Sequence, residues 1–560
     1  MKASINQLEM LLRTIRSKES AYNEKIRMLS SPFNSPGYHT TIKAADVIHS
    51  TYHSLIYALG LLDTEVEAYE QRAFDIMEQV IAMQDTDRSR STFGIWPWFY
   101  EESLDQMSPP DWNWADFCGK QLVLAELRHG GRFPARLRQA LRQAVFHACD
   151  AIMLRNVGPS YTNIAIMGAF VTLIAGEVYE RGDYASYGLE RLEKLADYTR
   201  QRGAFQEYNS PTYTYVAIVE LSKIASATVS SKAKALSGEL LDRAWKSVGD
   251  YYHAATGQWS GPHSRAYQTL LRDQSKAFLQ LATEGALLFY PWEELPYDAE
   301  WFGCGIHCPA EHIGAFFASE TRTIRQCYES GEGGDKWATT YMTPSYTLGS
   351  FGKEIMWNQR RVLLGYFDND GEPTYVHLRF LHDGYDYCSA LFRSVQEDGH
   401  VLFGIGFLAE GGVTHPSLDR MNGRIEASDF RLRLEIGGCL DRVSAASQGT
   451  GAEIRIHGMH VQLRTWHAAF GPFIAERPWR WEVSRDSGKW NVDFVIHAGE
   501  RTEIDFRRLG SAVMCFSLTV GEREKPFVPE MAEADGVMTV QGFWSDREMN
   551  LSLPTRPVGS

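Results

Sequence analysis

The N-terminal part of the chain carries a helical pattern of apolar residues. Up to about residue 335, apolar side chains recur at spacings of three and four positions. This spacing places them on one face of an α-helix. Residues 137–153, 184–202 and 230–254 show the pattern clearly, so we predict a helix in each segment. The start of the chain is also amphipathic and predicts a further helix.

Short polar segments between these helices recur at an even interval, and each resembles a helix start. They lie at residues 110–114, 161–163, 210–211, 262–265 and 309–312, about 50 residues apart. Two helices of about twenty residues with their loops fill such an interval. The repeat is therefore a helical hairpin. With an earlier hairpin at residues 41–83, the chain would hold about six, which predicts an α/α toroid, an incomplete barrel of helical hairpins.

In such a toroid, alternate helices line the inside and begin at the same end. Residues at the helix openings should then converge on one rim, although they are far apart in sequence. These residues are Trp112, Trp114, Asn163, Glu207, Tyr213, His263, Arg265 and His312.

The pattern changes after about residue 335, where short alternating segments are separated by Asp, Asn and Gly. Many strands without intervening helices predict a large antiparallel β-sandwich. We therefore expect an α/α toroid catalytic domain over residues 1–335 and a β-sandwich domain over residues 336–560. The predicted strands are 361–367, 374–380, 386–395, 430–435, 453–457, 461–466, 481–484, 492–496, 512–520 and 537–543.

One helix opening, at residues 203–215, gathers a carboxylate, amides and phenols. Ser210 is a good N-cap and Pro211 a good first helical residue, which would put Tyr213 and Tyr215 in the first turn. Glu207 and Asn209 would lie on the loop before it. The free N–H groups and the positive end of the helix dipole would favour an anionic ligand here.

Composition narrows the class of protein. The 560 residues are 44% hydrophobic and 22% charged, enough for more than one core. A net charge of −14 argues against nucleic acid or an anionic membrane as the main partner. The eight cysteines follow no regular framework, so we expect reduced thiols. We see neither a signal-peptide run nor a membrane-spanning stretch, and we expect a cytoplasmic protein, or a secreted one whose signal has been removed.

The architecture and several residues resemble the polysaccharide lyases of the heparinase II/III-like and chondroitin/hyaluronan lyase types. The stretch from Gly203 through Glu207 and Ser210 to Tyr213 is similar to a heparinase II/III motif, with slightly different spacing. Asn163 matches the Asn that opens the preceding inner helix in those proteins. Chondroitin-type lyases carry Asn, His, Tyr and Arg on successive inner helices, whereas this chain has Glu207 or Asn209 at the His position and His263 two residues before Arg265.

The resemblance implies cleavage of a uronate-containing glycan by β-elimination. Such chemistry needs groups that neutralise the uronate carboxylate, and Asn163, Arg265 and a protonated Glu207 are candidates. It also needs a base and an acid, which Tyr213 could supply, with His263 as the alternative base. Further contacts with sugar would come from polar side chains and from flat aromatic faces on a predicted loop. These substrate-binding candidates are Asn209, Tyr215, Tyr267, Trp96, Trp98, Trp112, Trp114 and His312.

We expect no catalytic metal or cofactor. Cys304, His307, Cys308 and His312 lie close in sequence, but a structural zinc site normally has two separated ligand pairs. Some heparinase-like enzymes hold a structural metal in the β-domain, for which His377, His382 and Asp383 are possible ligands here.

Two other functions fit the sequence. A glycoside hydrolase on the same toroid would use paired carboxylates, for example Asp111 or Asp116 with Glu207. A noncatalytic sugar-binding protein would use the aromatic rim alone. Each candidate also has a structural role open to it: Asn163 could cap its helix, Glu207 could pair with Arg202, and a Tyr at a helix start often packs in the core.

Overall fold

The computed structural model of the protein describes residues 6–331, 334–410, 423–473, 481–521 and 527–559. Contacts between residues divide the chain into two compact units. The first comprises Met1–Gln206, Tyr213–Lys246 and Arg272–Ile313. The second comprises Glu207–Thr212, Ser247–Leu271 and Gly314–Ser560.

The helices fall in the N-terminal part of the chain. They are α1 (Gln7–Ser17), α2 (Thr51–Asp63), α3 (Glu67–Ile81), α4 (Trp114–His129), α5 (Ala135–Arg155), α6 (Thr162–Val178), α7 (Gly182–Arg202), α8 (Tyr213–Ala227), α9 (Ser231–Tyr251), α10 (Asp273–Ala282) and α11 (Ala310–Ile313). The first unit also contains a small antiparallel sheet of β1 (Tyr22–Asn23), β2 (Met28–Asn34) and β3 (Ala44–His49).

Helices of the first unit form two layers of hairpins. The first helices of the hairpins pack in order, α2 on α4, α4 on α6 and α6 on α8, while α3, α5 and α7 pack on their hairpin partners. Sequence explains this division, because α6 is apolar on every side and residues 162–176 are all buried. In contrast, α7 buries Leu192 and Leu195 and exposes Glu190 and Lys194. The predicted series of helical hairpins is confirmed.

The second unit is built from antiparallel strands. They are β4 (Tyr252–His253), β5 (Gln258–Trp259), β6 (Arg322–Glu329), β7 (Lys336–Met342), β8 (Tyr346–Phe351), β9 (Lys353–Ile355), β10 (Leu363–Asn369), β11 (Glu372–His382), β12 (Tyr385–Asp386), β13 (Ala390–Glu397), β14 (His400–Phe407), β15 (Arg424–Gly438), β16 (Val443–Gln448), β17 (Gly451–Ile456), β18 (Met459–Phe470), β19 (Trp481–Asp486), β20 (Lys489–Asp505), β21 (Ala512–Gly521), β22 (Glu530–Ala534), β23 (Val537–Trp544) and β24 (Arg547–Pro554).

Two large sheets face each other in this unit. One runs β19-β20-β15-β11-β10-β8-β7-β6, with β12 beside β11, and the other runs β16-β17-β18-β21-β14-β13-β9. Aromatic rings fill the layer between them; the ring centroids of Phe380 and Phe407 are 5.3 Å apart, as are those of Phe494 and Phe516. A third sheet, β22-β23-β24, packs on β13 and β14. The predicted antiparallel sandwich is confirmed. The boundary expected at residue 335 falls between β6 and β7, which pair with each other.

One predicted helix opening is wrong, and another helix begins two residues later than predicted, with Tyr213 and Tyr215 in its first turn. Residues 262–265 start no helix, because their backbone bonds run to a distant loop: His263 N donates to Arg361 O (3.1 Å) and Ala266 N to Gln359 O (2.6 Å). The next helix, α10, starts at Asp273. Ser210 does not open its helix either, since Ser210 Oγ donates to Arg265 O (2.5 Å) and α8 begins at Tyr213. The opening at residues 309–312 leads only to the single turn of α11.

All eight cysteines are free thiols, as the sequence predicted. Over the described parts of the chain, every helix is too short or too polar to cross a lipid bilayer.

Candidate functional site

The second unit contains a cavity of about 490 Å³. Three cationic side chains line it, those of Arg361, Arg379 and Lys489, together with the carboxylates of Asp386 and Glu435. Phenol and imidazole groups also line it, those of Tyr267, Tyr375, Tyr385 and His377, together with the polar residues Gln268, Thr269 and Asn358. The cavity therefore combines cations that could hold an acidic ligand with aromatic groups that could stack on or transfer protons to it.

Two of the three cations are neutralised inside the protein. Arg379 forms ion pairs with Asp386 (2.7 Å) and Glu435 (2.8 Å). Lys489 Nζ lies 3.0 Å from Glu435. Both carboxylates of the cavity are thus already engaged by these two side chains.

The third cation, Arg361, has no carboxylate in contact among the described residues. Its side chain is buried, with only 5% of the residue exposed. Its guanidinium makes one hydrogen bond within the described chain, from Nη1 to Asn358 O (2.7 Å), and its Nε is buried without a partner. Burial lowers the pKa of Arg361 from its ordinary value. An arginine remains charged in proteins, so this site holds a buried positive charge that an anion would compensate.

Local structure fixes Arg361 at the cavity. It lies at the end of the loop between β9 and β10, directly before β10 enters the sheet. Backbone bonds hold this loop against residues 263–266, since Arg361 N donates to His263 O (2.9 Å) and Ala266 N to Gln359 O. The guanidinium therefore belongs to a loop whose backbone is held in place by hydrogen bonds.

His263, which takes part in this backbone pairing, has a buried side chain. Its Nδ1 donates to Asn209 O (2.7 Å), and its Nε2 has no hydrogen-bond partner among the described residues. Burial is the main cause that lowers the pKa of His263 to about 3, and the nearby Arg361 charge adds to it. The imidazole is therefore neutral at pH 7, with its lone pair on Nε2.

His377 lines the cavity from β11, where it pairs with Glu435 of β15. Burial holds its pKa well below the ordinary value, and the cations Arg361, Arg379 and Lys489 add to this effect. It is neutral at pH 7 as well, so the cavity gains an uncharged imidazole rather than a fourth cation.

Asn209 has a structural role, in contrast to the predicted contact with substrate. Its Nδ2 donates to Ser260 O (2.8 Å) and Pro262 O (2.9 Å), and its Oδ1 accepts from Trp259 Nε1 (2.6 Å). The residue is buried at φ 47°. Because these contacts use both side-chain atoms, Asn209 holds the turn at residues 259–263 in place.

The other predicted residues of this unit differ in exposure. Arg265 donates to Gln359 Oε1 from Nε (3.1 Å) and Nη2 (2.9 Å), and its guanidinium lies 5.3 Å from the Trp357 ring centroid. Tyr267 is 46% exposed and lines the cavity. Glu207 is buried. The structure thus brings Tyr267, of all the predicted site residues, directly to the cavity lining.

Asn163, Tyr213, Tyr215 and His312 belong to the first unit. Asn163 is the second residue of α6 and is buried, and its Oδ1 has no partner within the described chain. Tyr213 is the first residue of α8. Tyr215 is half-buried, and its hydroxyl accepts from Trp301 Nε1 (2.8 Å).

His312 pairs with a carboxylate. Its Nε2 lies 2.7 Å from Asp242 Oδ1. Asp242, Glu311 and His312 each place one possible metal ligand within 4.8 Å of the others, the one such group found in the described residues. In the β-domain, Asp383 is engaged by Arg501 (2.9 Å), and His382 Nε2 lies 3.0 Å from Glu426 O.

Of the four predicted tryptophans, Trp96 and Trp98 are buried, whereas Trp112 and Trp114 are half-buried. Trp96 is fully buried and donates to Val80 O (2.8 Å), so its ring is not available to a sugar. The indole N–H groups of the other three are also used within the first unit. Trp98 donates to Asp111 Oδ2 (3.2 Å), Trp112 to Ser91 O (2.9 Å) and Trp114 to Thr51 Oγ1 (3.0 Å).

Asp116, a candidate for the hydrolase alternative, is buried in the helical core. Burial raises its pKa to about 7 despite the opposing charges of Arg191 and Arg155. Its Oδ1 lies 2.8 Å from the position that a Cβ on Gly168 would occupy. This carboxyl therefore packs against α6 and is not available to a glycosidic bond.

Sequence reasoning missed Arg361, Arg379 and Lys489. Arg361 follows another arginine, Arg360, which forms an ion pair with Glu354 (2.7 Å). Nothing in the local pattern distinguishes the paired arginine from the buried one. His377 was noticed only as a possible metal ligand.

Comparisons with known proteins give a family match and several similar structures. A family model described as a domain of unknown function, DUF8769, matches residues 19–283. No curated protein matches the chain.

Three similar solved structures are a heparinase and two lyases by name. Heparinase III is 11% identical, with a TM-score of 0.46, and the match covers 90% of this chain and 82% of that one. A mutant chondroitin AC lyase from Streptomyces coelicolor is 10% identical, with a TM-score of 0.43 and coverage of 96% and 84%. A mutant heparan sulfate lyase HepC from Pedobacter heparinus is 10% identical, with a TM-score of 0.34 and coverage of 98% and 94%. We transfer neither activity nor residue roles from these structures to this chain.

Proposed function

We propose that this protein is a polysaccharide lyase that cleaves a uronate-containing oligosaccharide or polysaccharide by β-elimination. The observation that carries the proposal is the buried guanidinium of Arg361, which lines a polar cavity without a carboxylate partner among the described residues. A uronate carboxylate is an anion of suitable shape, because the arginine fork can donate two parallel hydrogen bonds to it.

The reaction explains why such a cation would be needed. A base removes the proton on C5, the electron pair of that bond forms the C4–C5 double bond, and the C4–O bond breaks. An acid then supplies a proton to the leaving oxygen. The C5 proton is very weakly acidic while the neighbouring carboxylate keeps its full charge, so a fixed cation at the carboxylate stabilises the developing negative charge.

In this proposal, a tyrosine transfers the proton. Tyr267 lines the cavity and is exposed, which fits a group that meets the substrate. Tyr213 is the alternative that the sequence resemblance implies. Positioned acids and bases of this kind contribute about 10²–10⁴-fold to a rate. The neutral His377 offers a hydrogen-bond acceptor for a sugar hydroxyl beside the carboxylate site.

The test is to incubate the protein with a panel of uronate glycans and follow the ultraviolet absorbance of the unsaturated product. The wild type is expected to generate this absorbance, Arg361→Met to lose it, and either Tyr267→Phe or Tyr213→Phe to lose it, which identifies the proton-transfer group. New reducing ends without absorbance would instead establish hydrolysis. Binding without either product would establish a noncatalytic sugar-binding protein.

A further inference from the structure

Tyr385 is an exposed aromatic residue in the lining of the cavity that contains Arg361. It is 49% exposed. The other two tyrosines of the lining differ from it. Tyr375 is buried and donates its hydroxyl to Glu435 Oε1 (2.8 Å), and Tyr267 is the candidate for proton transfer. The ring of Tyr385 is thus an aromatic surface of this cavity that the proposed reaction does not use.

A tight hairpin places Tyr385 at the cavity. Strand β11 ends at His382 and β12 begins at Tyr385, and these two residues pair with each other. The two residues between them, Asp383 and Gly384, both have positive φ, 48° and 80°. A two-residue hairpin loop with positive φ at both positions is a type I′ turn, for which Asp-Gly is a preferred sequence. A short, regular turn therefore fixes the position of Tyr385.

The hydroxyl of Tyr385 is bonded to the loop that carries Arg361. Asn358 Nδ2 donates to the Tyr385 hydroxyl (2.9 Å), and Asn358 O accepts from Arg361 Nη1 (2.7 Å). Asn358 lines the cavity as well. The phenol and the guanidinium thus contact the same residue. An aromatic ring therefore lies next to the cation to which we assign the uronate carboxylate.

We propose that Tyr385 is a sugar-stacking residue, whose ring binds the sugar adjacent to the uronate held by Arg361. This inference rests on the proposed function, because it takes the uronate site at Arg361 as its starting point. A pyranose ring has C–H groups on its faces and hydroxyls around its rim, so it can lie on a phenol ring and keep its hydroxyls in water. Covering the exposed ring of Tyr385 removes apolar surface from water, which favours binding.

The two contacts divide the ligand between a charge and a ring. A free uronate needs only the guanidinium of Arg361. An oligosaccharide also presents the next sugar to Tyr385. The ring should therefore make the site prefer an oligosaccharide over the free acid, without a second charge.

The test compares free uronates with oligosaccharides that contain them. The free probes are D-glucuronate, D-mannuronate and D-galacturonate. Calorimetric titration of the full chain measures the affinity for each oligosaccharide, and competition against the oligosaccharide measures the affinity for the free sugar. Tyr385→Ala should weaken oligosaccharide binding about tenfold and change free-uronate binding by less than about twofold. Arg361→Met should weaken both. With a cleaved substrate, Tyr385→Ala should raise KM by the same factor and leave kcat within about twofold.

Two further variants separate the ring from its hydroxyl and from general effects. Tyr385→Phe keeps the ring and should bind the oligosaccharide within about twofold of the wild type. Tyr100 is a matched control, because it is also exposed (47%) but lies in the first unit and lines a separate cavity. Tyr100→Ala should leave the affinity unchanged. Melting curves of all the variants distinguish loss of the contact from loss of the fold.

The outcomes separate this inference from the lyase function itself. Unchanged oligosaccharide affinity in a folded Tyr385→Ala protein, or a similar loss in Tyr100→Ala, would overturn the inference. Equal weakening of free uronate and oligosaccharide in Tyr385→Ala would overturn it too, because the ring would then contact the uronate itself. The expected binding pattern without an unsaturated product would support the stacking role and overturn the lyase function. No binding of any glycan to the wild type would overturn both.

Discussion

His263 and Arg361 exchange both of their backbone hydrogen bonds, at 3.1 Å and 2.9 Å. They lie almost a hundred residues apart in sequence and form an isolated antiparallel bridge. The bridge joins the turn that carries the predicted residues His263 and Arg265 to the loop that carries the buried guanidinium. Because the backbone positions Arg361, its side chain can stay at the cavity without an ion pair to hold it there.

Arg361 should contribute to activity but not to stability. Arg361→Met removes a buried charge that has no carboxylate partner among the described residues and keeps an unbranched side chain of similar length. We therefore expect an unchanged or higher melting temperature together with loss of the proposed lyase activity. Arg361→Lys keeps the charge but loses the planar fork, and its kcat/KM should fall about 10²-fold.

Arg379 is the matched control for that experiment, because it lines the same cavity but forms ion pairs with Asp386 and Glu435. Arg379→Met leaves those carboxylates without a main partner and should destabilise the protein by about 3–5 kcal/mol. Denaturant unfolding of both variants makes the comparison. A large loss of stability in Arg361→Met, equal to that of Arg379→Met, would show that Arg361 is a structural cation.

Asn209 should matter for folding and not for substrate affinity. Asn209→Ala removes the bonds to Ser260 O, Pro262 O and Trp259 Nε1, and leaves the buried indole N–H without its partner. We expect a loss of about 2–4 kcal/mol in the free energy of unfolding, measured in urea. In the fraction that remains folded, KM should stay within about twofold of the wild type. A large rise in KM with normal stability would restore the predicted role in substrate binding.

The stability of the protein should depend on the charge balance of a buried ion-pair network in the first unit. Lys120 Nζ lies 2.7 Å from Glu220 and 3.0 Å from Glu300, and Lys223 Nζ lies 2.9 Å and 3.2 Å from the same carboxylates. Burial alone would lower the pKa values of both lysines, but the two carboxylates outweigh it and raise them. Two cations and two anions therefore balance inside the helical core.

Glu220→Gln leaves two buried ammonium groups with one carboxylate and should destabilise the protein by about 3–5 kcal/mol. The double variant Glu220→Gln, Lys223→Met restores a one-to-one balance between Lys120 and Glu300. It should recover a substantial part of the loss in a double-mutant cycle of denaturant unfolding. Additive losses in the two single variants and their combination would mean that the charges do not act together.

The local pattern of apolar residues was sufficient to predict the elements whose buried faces follow from their own sequence. The apolar surface of α6 and the amphipathic surface of α7 identified a hairpin without any other information. The helix start predicted at residues 262–265 was wrong because the backbone there forms hydrogen bonds with the loop at Gln359 and Arg361. The periodicity of apolar residues does not reveal hydrogen bonds between segments so far apart in sequence. For the same reason, the sequence indicated Arg265 as the arginine of the site, whereas the buried arginine that lines the cavity is Arg361.

His263 should make the stability of the protein depend on pH. Its pKa is about 3 in the folded protein, mainly because of burial, against 6.5 as the ordinary value. Between these two values the unfolded chain binds a proton that the folded protein does not, so stability should fall as the pH is lowered from about 6.5 toward 3. One such proton changes the free energy of unfolding by at most about 1.4 kcal/mol per pH unit. His263→Asn keeps a donor for Asn209 O but does not titrate. Urea unfolding at a series of pH values should therefore give a shallower acid loss for this variant than for the wild type, and equal slopes would mean that His263 takes up its proton equally in both states.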